Sequence, residues 1–125
     1  MSRVLVVDDD PDLRHLVEMR LRKGGHRVLT AASGEEALAI VDERGAPDVA
    51  VLDVAMPGMN GLELLPALRS REGMSELPAI FLSARILQHD IEAGRALGAT
   101  YLTKPFVATA LLNAVERVCP EPEGW

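Results

Sequence analysis

The amino-acid sequence predicts an α/β domain, in which a parallel sheet is covered by helices on both faces. Two observations carry this prediction. Short apolar runs, such as residues 4–7 and 49–52, are typical of strands that are buried on both faces of a parallel sheet. Between the runs lie segments with apolar residues at helical spacing, and regular alternation of strand and helix is the pattern of α/β folds.

Each element is predicted by its own local pattern. Five strands are expected, at residues 4–7, 26–31, 49–53, 79–83 and 101–103. Five helices are expected, at residues 11–23, 33–43, 62–71, 86–97 and 106–118. Gly24 and Gly25 stop the first helix, while Ser33 and Glu36 open the second as N-cap and capping box. Pro66 lies inside the third helix and predicts a late start or a kink.

Composition limits the classes of function. The 125 residues fit one domain, which we expect to span residues 1–119, with 120–125 as a tail or the start of a linker. Apolar residues make up 48% of the chain, which is enough for a core. The net charge of −6 argues against a basic surface that binds nucleic acid or an anionic membrane.

The chain has one cysteine and no recognisable targeting segment. Cys119 alone can form neither an intrachain disulfide nor a zinc cluster built on cysteine. The N-terminal sequence lacks the pattern of a signal peptide, and its apolar run of four residues is too short to span a membrane. We therefore expect a cytoplasmic protein without a membrane segment.

The predicted topology brings polar residues together. The expected strand order is 2-1-3-4-5, the flavodoxin-like order, in which sheet and helices form a three-layer sandwich. Ligands of such sheets bind at the carboxyl ends of the strands. The polar residues expected at this edge are Asp8, Asp9, Asp53, Ser83 and Lys104.

These residue types favour chemistry with a hard metal ion and a phosphoryl group. Three neighbouring carboxylates repel one another and need a bound cation or proton. Oxygen ligands without His or Cys favour Mg²⁺, with Mn²⁺ as the alternative ion. Asp53 is then a candidate nucleophile, because carboxylates form acyl-phosphate intermediates. Lys104 would balance the charge, and Ser83 would donate a hydrogen bond to a phosphoryl oxygen.

Four motifs together resemble the receiver domain of bacterial two-component response regulators. They are Val6-Val7-Asp8-Asp9-Asp10, residues 53–61, Ser83-Ala84 and residues 101–106. The resemblance covers about residues 2–118, and the order and spacing of the motifs make the set much more specific than any one of them. One residue is missing from the family's usual spacing just before Tyr101, which leaves the position of the fifth strand open.

The resemblance implies a role for each residue of the acidic group. Asp53 would be the phosphoacceptor and a metal ligand. Asp9 would bind the metal directly, and Asp8 would act through a water molecule. Ala55 would lend its backbone carbonyl to the metal, and Ala55 and Arg85 stand at the positions that tune the lifetime of the phosphoryl group in this family.

The resemblance also assigns the residues of the last strand and its neighbour. Lys104 would contact the phosphoryl group, and Pro105 matches the family's cis-proline. Ser83 and Tyr101 match the switch pair, in which the hydroxyl moves towards the phosphoryl group and the aromatic ring turns inward.

The implied function is a signalling switch. A histidine kinase or a phosphotransfer protein would phosphorylate Asp53, and the surface of the fourth helix, fifth strand and fifth helix would change. Weak autophosphorylation and autodephosphorylation would take the place of enzymatic turnover, and a weak or phosphorylation-dependent homodimer is left open. No direct contact of this domain with nucleic acid or a membrane is expected.

Three other classes fit the sequence less well than the switch. A pseudo-receiver, an interaction module that is not phosphorylated, usually loses an acidic or lysine position that this chain keeps. A phosphohydrolase commonly needs a second carboxylate where Ala55 stands. A nucleotide- or flavin-binding module is disfavoured because no glycine-rich phosphate loop follows the first strand.

Overall fold

The computed structural model describes residues 2–83, 92, 96–103 and 108–118, and within them one parallel sheet carries the fold. Its strands are β1 (Arg3–Val7), β2 (Arg27–Ala31), β3 (Val49–Asp53), β4 (Ala79–Ser83) and β5 (Thr100–Thr103). The described helices are α1 (Pro11–Lys23), α2 (Gly34–Arg44), α3 (Gly61–Arg69) and α4 (Ala108–Val118). The sheet order is β2-β1-β3-β4-β5, so the predicted fold class and strand order are confirmed.

Alternate residues of the central strands feed two separate cores. In β1, Leu5 and Val7 belong to the cluster beneath α2 and α3, whereas Val4 and Val6 belong to the cluster beneath α1 and α4. Because side chains alternate across a strand, a strand that is buried on both faces must be apolar throughout. This explains why the strands read as unbroken apolar runs in the sequence.

Side-chain caps begin the first two helices, and the capping box predicted for the second needs one correction. The Oδ1 of Asp10 accepts hydrogen bonds from the backbone N–H groups of Asp12 (3.0 Å) and Leu13 (3.3 Å), which begins α1. The Oγ of Ser33 accepts from the N–H of Glu36 (3.1 Å), as predicted for α2. The Glu36 carboxylate, however, accepts from the N–H of Ala32 at 3.4 Å, so the reciprocal half of the predicted box is displaced by one residue.

The third helix differs from its prediction at both ends. The expectation of a late start is wrong, because α3 begins at Gly61 and contains Pro66 in its interior. Pro66 lies on the exposed side of the helix, where water can bond to the carbonyl that its missing N–H leaves unpaired. The helix ends at Arg69, two residues before the predicted end.

Arg69 connects the end of α3 to the entries of two strands. Its Nε and Nη2 donate to the carbonyl of Leu77 (3.1 and 2.8 Å), just before β4, and its Nη1 donates to the carbonyl of Leu97, before β5. Partial burial lowers the pKa of Arg69 from its ordinary value through desolvation. The side chain therefore supplies charged donors to two backbone carbonyls that lie beyond the sheet.

β5 pairs fully with β4 despite the shortened spacing before Tyr101. Ile80 stands opposite Thr100, and the register continues to Ser83 opposite Thr103. The helix predicted at residues 86–97 lies largely outside the described residues, although positions 92 and 96 are helical. The helix α4 is the one predicted at residues 106–118. Among the residues that are described, no helix is long and apolar enough to cross a membrane.

Candidate metal centre at the carboxyl edge of the sheet

The register of the sheet places the predicted acidic residues at one level. Val7 pairs with Leu52, so the next residues, Asp8 and Asp53, stand side by side where β1 and β3 end. Ser83 closes the adjacent strand β4. Asp8, Asp53 and Ser83 are only 1%, 4% and 4% exposed, so three polar side chains are buried at the carboxyl edge of the sheet.

Asp9 completes an acidic cluster that is open on one side. One carboxylate oxygen each from Asp8, Asp9 and Asp53 lies within 4.8 Å of the others, and Asp9 is exposed while the other two are buried. Ligands on opposite sides of Mg²⁺ are separated by about 4.2 Å, since each Mg–O distance is about 2.1 Å. The 4.8 Å limit is close to this separation, so the cluster and its all-oxygen donor set suit a magnesium ion, and the exposed Asp9 leaves one side of the cluster open to solvent.

Backbone hydrogen bonds orient the two buried carboxylates. Asp8 Oδ1 accepts from the N–H of Asp10 (3.0 Å), and Asp53 Oδ1 accepts from the N–H of Ala55 (3.3 Å). Each bond closes a local turn to the residue two positions on, which is a common conformation of Asp at the end of a strand. Ala55 itself is exposed, beside the end of β3.

Arg14 holds the first of these turns from α1. Its Nη1 donates to the backbone carbonyl of Asp8 at 2.9 Å. The guanidinium therefore spans the β1–α1 turn and fixes the peptide that carries one of the carboxylates. We did not predict this contact from the sequence, although an arginine four residues after the cap Asp10 stands on the face of α1 that turns back towards β1.

Gly61 places the start of α3 directly behind Asp53. Its N–H donates to the carbonyl of Val54 (3.2 Å), and a Cβ at position 61 would lie 2.5 Å from the backbone oxygen of Asp53. Real Cβ atoms essentially never approach another heavy atom within 3.0 Å, so only glycine fits here without movement of the backbone.

A capping box that the sequence reading missed fixes the same helix start. Asn60 Oδ1 accepts from the N–H of Glu63 (2.9 Å), and Glu63 Oε1 accepts from the N–H of Asn60 (3.1 Å). The signal was present in the sequence as Asn60 followed three residues later by Glu63, the usual spacing of such a box.

The ring of Tyr101 on β5 packs against the ring of Phe81 on the neighbouring strand β4. Its ring lies 5.3 Å from that of Phe81, centroid to centroid, with an interplanar angle of 43°. Phe81 is fully buried and stands opposite Tyr101 in the register of β4 and β5. The contact gives one position of the aromatic ring, and its role in switching stays a prediction.

Three of the predicted site residues fall in segments that are not described. Arg85, Lys104 and Pro105 lie outside the described residues. Their roles in phosphoryl lifetime, phosphoryl contact and the strand-end turn therefore stay predictions.

Comparison with known proteins identifies the family. The family model described as "Response regulator receiver domain" matches residues 4–116. The chain belongs to the response regulator receiver domain family. As a receiver domain it is part of a two-component signalling system, where such domains act as signalling switches rather than as classical enzymes, interact with histidine kinases, and bind Mg²⁺ at an acidic cluster.

Individual relatives agree with this assignment. The transcriptional regulatory protein PrrA of Mycobacterium bovis is 44% identical over 115 residues, which cover 91% of this receiver domain and 48% of PrrA. The chain thus spans about half the length of PrrA.

Two solved structures share the fold at similar identity. The chemotaxis protein CheY4 of Vibrio cholerae superposes with a TM-score of 0.88 at 38% identity, covering 94% of this chain and 98% of CheY4. The response regulator TrrA of Thermotoga maritima, solved in complex with Mg²⁺-BeF, gives a TM-score of 0.81 at 33% identity, covering 94% of this chain and 99% of TrrA.

Proposed function

We propose that Asp53 accepts a phosphoryl group from a histidine kinase or a phosphotransfer protein in a Mg²⁺-dependent reaction. The observation that carries the proposal is the acidic cluster, in which Asp53 is buried at the end of β3 with oxygens of Asp8 and Asp9 within 4.8 Å. A carboxylate in this position can be both a metal ligand and a nucleophile.

Some residues around the cluster would bind the metal, and others hold those ligands in position. Asp9, Asp53 and the backbone carbonyl of Ala55 would hold the ion directly, with Asp8 bound through water. Bound Mg²⁺, or Mn²⁺ in its place, supplies positive charge that neutralises the phosphoryl oxygens. The Ala55 N–H on Asp53 and the Arg14 guanidinium on the Asp8 carbonyl keep both peptides in place before the donor arrives.

The transfer exchanges one bond to phosphorus for another. A carboxylate oxygen of Asp53 attacks the phosphorus atom of a phosphohistidine, the P–N bond breaks, and its electron pair stays on the imidazole, which takes up a proton from solvent. Lys104 would neutralise charge on the transferred group, and Ser83 would donate a hydrogen bond to it. Hydrolysis of the acyl phosphate by water would reset the domain, and the exposed, small Ala55 leaves room for that water.

The new charge would bias the output surface. Ser83 ends β4 and pairs with Thr103 of β5, and Tyr101 lies two residues before Thr103 on the same strand. A shift of Ser83 towards the phosphoryl group would therefore act on the pair of strands that carries the Tyr101 ring. We propose that Tyr101 turns inward and that Arg85 modulates the lifetime of this state. The domain boundaries at 1–119 and a cytoplasmic location stay predictions that accompany this proposal, and a weak or phosphorylation-dependent homodimer stays open.

A small acyl phosphate donor tests the proposal without the partner protein. The wild-type domain with Mg²⁺ is expected to gain one phosphoryl group by intact mass, and Asp53→Asn is expected to gain none. Asp10→Asn is the matched control, because it also removes one charge near the site while asparagine caps a helix as well as aspartate does.

Two results would contradict the proposal. A modification that persists unchanged in Asp53→Asn would place the acceptor elsewhere. A domain that fails to bind Mg²⁺ in a titration would instead be a pseudo-receiver, an interaction module that is not phosphorylated.

A further inference from the structure

Three arginines surround a groove at the opposite edge of the sheet from the acidic cluster. The groove has a volume of about 370 Å³ and is lined by Arg3, Arg27, Val28, Leu29 and Arg44. It lies where β1 and β2 begin and α2 ends, and the five residues of β1 separate it from Asp8 by about 16 Å. Its volume falls within the range of small-molecule sites in proteins.

The guanidinium groups of this arginine groove are not used in ion pairs within the described part of the chain. There, ion pairs join His15 and Arg22 to Glu18, and Arg71 to Asp42. The three groove arginines take part in none of these. The chain as a whole carries six more acidic than basic charges, so three such cations around one groove run against its composition.

The fold brings two of these cations together at a cost. Arg3 and Arg27 stand opposite each other in the register of parallel strands β1 and β2, on the face of the sheet that also carries Leu29. Two positive charges at the same level of neighbouring strands repel each other. An anion bound between them would offset that repulsion.

Local hydrogen bonds favour a small ligand in the groove and hinder the pairing of an additional strand with the outer edge of β2. Arg3 Nη2 donates to the carbonyl of Arg44 (3.0 Å), which joins β1 to the end of α2 and offsets the negative end of the helix dipole. Arg22 Nη2 donates to the carbonyl of Val28 (3.0 Å) and so covers part of the outer edge of β2. The carboxylate of Asp48 is turned to the backbone N–H of Arg3 (2.8 Å).

We propose that the arginine groove binds a small phosphate-bearing ligand of mononucleotide size. Guanidinium groups pair with phosphate oxygens in a bidentate fashion and stack on planar rings, while Leu29 supplies apolar surface for the remainder of the ligand. The site is independent of the acidic cluster, and the proposal does not depend on phosphorylation of Asp53.

The test measures binding of AMP and of inorganic phosphate by calorimetry at low ionic strength, with a chelator present so that no metal bridges the anion to the acidic cluster. Arg27→Gln and Arg44→Gln are expected to weaken AMP binding about tenfold or more, because each removes a charged donor. Arg20→Gln is the matched control: it removes the same charge from the exposed face of α1 and is expected to change affinity less than about twofold. Arg3 is left in place because it also holds the end of α2.

Each outcome decides the proposal. Saturable AMP binding that is lost in the Arg27 and Arg44 variants and kept in the Arg20 variant supports it. Absence of saturable binding, or an equal loss in all three variants, overturns it. AMP binding no tighter than inorganic phosphate overturns the mononucleotide size, and competition by an acidic peptide but not by phosphate assigns the groove to a protein partner instead.

Discussion

Replacement of Gly61 by alanine should move the proposed phosphoacceptor itself. The new Cβ would lie 2.5 Å from the backbone oxygen of Asp53, 3.0 Å from its carbonyl carbon and 3.2 Å from the Cα of Val54. The two segments must separate by about 0.5 Å before the first contact reaches a distance that real Cβ atoms tolerate. The nearest atoms are backbone, so no side-chain rotation can relieve the clash.

The magnitudes favour a functional loss over a large loss of stability. Overpacking of this kind costs about 1–3 kcal/mol, and alanine recovers about 0.5–1 kcal/mol relative to glycine in a helix. The net free energy of unfolding should therefore fall by no more than about 2.5 kcal/mol. Mg²⁺ tolerates little departure from octahedral geometry, and a displacement of this size in a reacting group costs about 10–100-fold in rate.

The assay compares Mg²⁺ affinity and the rate of phosphorylation by a small acyl phosphate in Gly61→Ala and in a stability-matched control. Gly73→Ala suits this purpose, since φ of Gly73 is +77° and no atom of the described residues lies within 4 Å of the new Cβ, so strain of about 1 kcal/mol falls far from the site. The control should keep wild-type affinity and rate. Wild-type affinity and rate in Gly61→Ala would refute the positioning argument.

Further predictions concern the charge of Asp9, the Asn60 cap of α3 and the partly buried Arg69. Asp9→Asn should raise the free energy of unfolding without Mg²⁺ by about 0.5–1 kcal/mol, because one of three like charges is removed, and it should lower Mg²⁺ affinity about tenfold. Urea unfolding measures the stability and a Mg²⁺ titration measures the affinity. A lower stability without metal would contradict repulsion among the three carboxylates. Asn60→Ala should cost about 1 kcal/mol in urea unfolding through loss of the box with Glu63, whereas Asn60→Asp should retain most of that stability. Arg69→Ala should cost about 1–3 kcal/mol, because the carbonyls of Leu77 and Leu97 lose their charged donors, and an unchanged urea midpoint would show that water replaces them.

The sheet and the acidic cluster could be predicted because they depend on local patterns and chain order. Apolar runs fixed the strands, and alternation with helices implied parallel strands with their carboxyl ends at one edge. Asp8 and Asp53 then had to lie close together, and the register confirms this. Ser33 as the N-cap of α2 likewise followed from its position before the helical pattern.

Contacts between segments distant in sequence could not be predicted in the same way. The approach of Gly61 to the Asp53 carbonyl depends on the angle at which α3 meets β3, and no local pattern encodes that angle. The bond from Arg69 to the Leu97 carbonyl spans 28 residues, and the pairing of Arg3 with Arg27 requires the exact register of two strands. The Asn60–Glu63 capping box, in contrast, could have been predicted from the spacing of the two residues, but only Pro66 was considered in this helix.

Chemical trapping of the phosphorylated residue tests the central claim most directly. The domain is phosphorylated with a small acyl phosphate and Mg²⁺, reduced with borohydride, which converts an aspartyl phosphate to homoserine, and digested for peptide mass spectrometry. We expect homoserine at position 53 alone, and none when Mg²⁺ is withheld. Homoserine at position 8 or 9, or a phosphoryl group that survives reduction on another residue, would contradict the assignment of Asp53 as the phosphoacceptor.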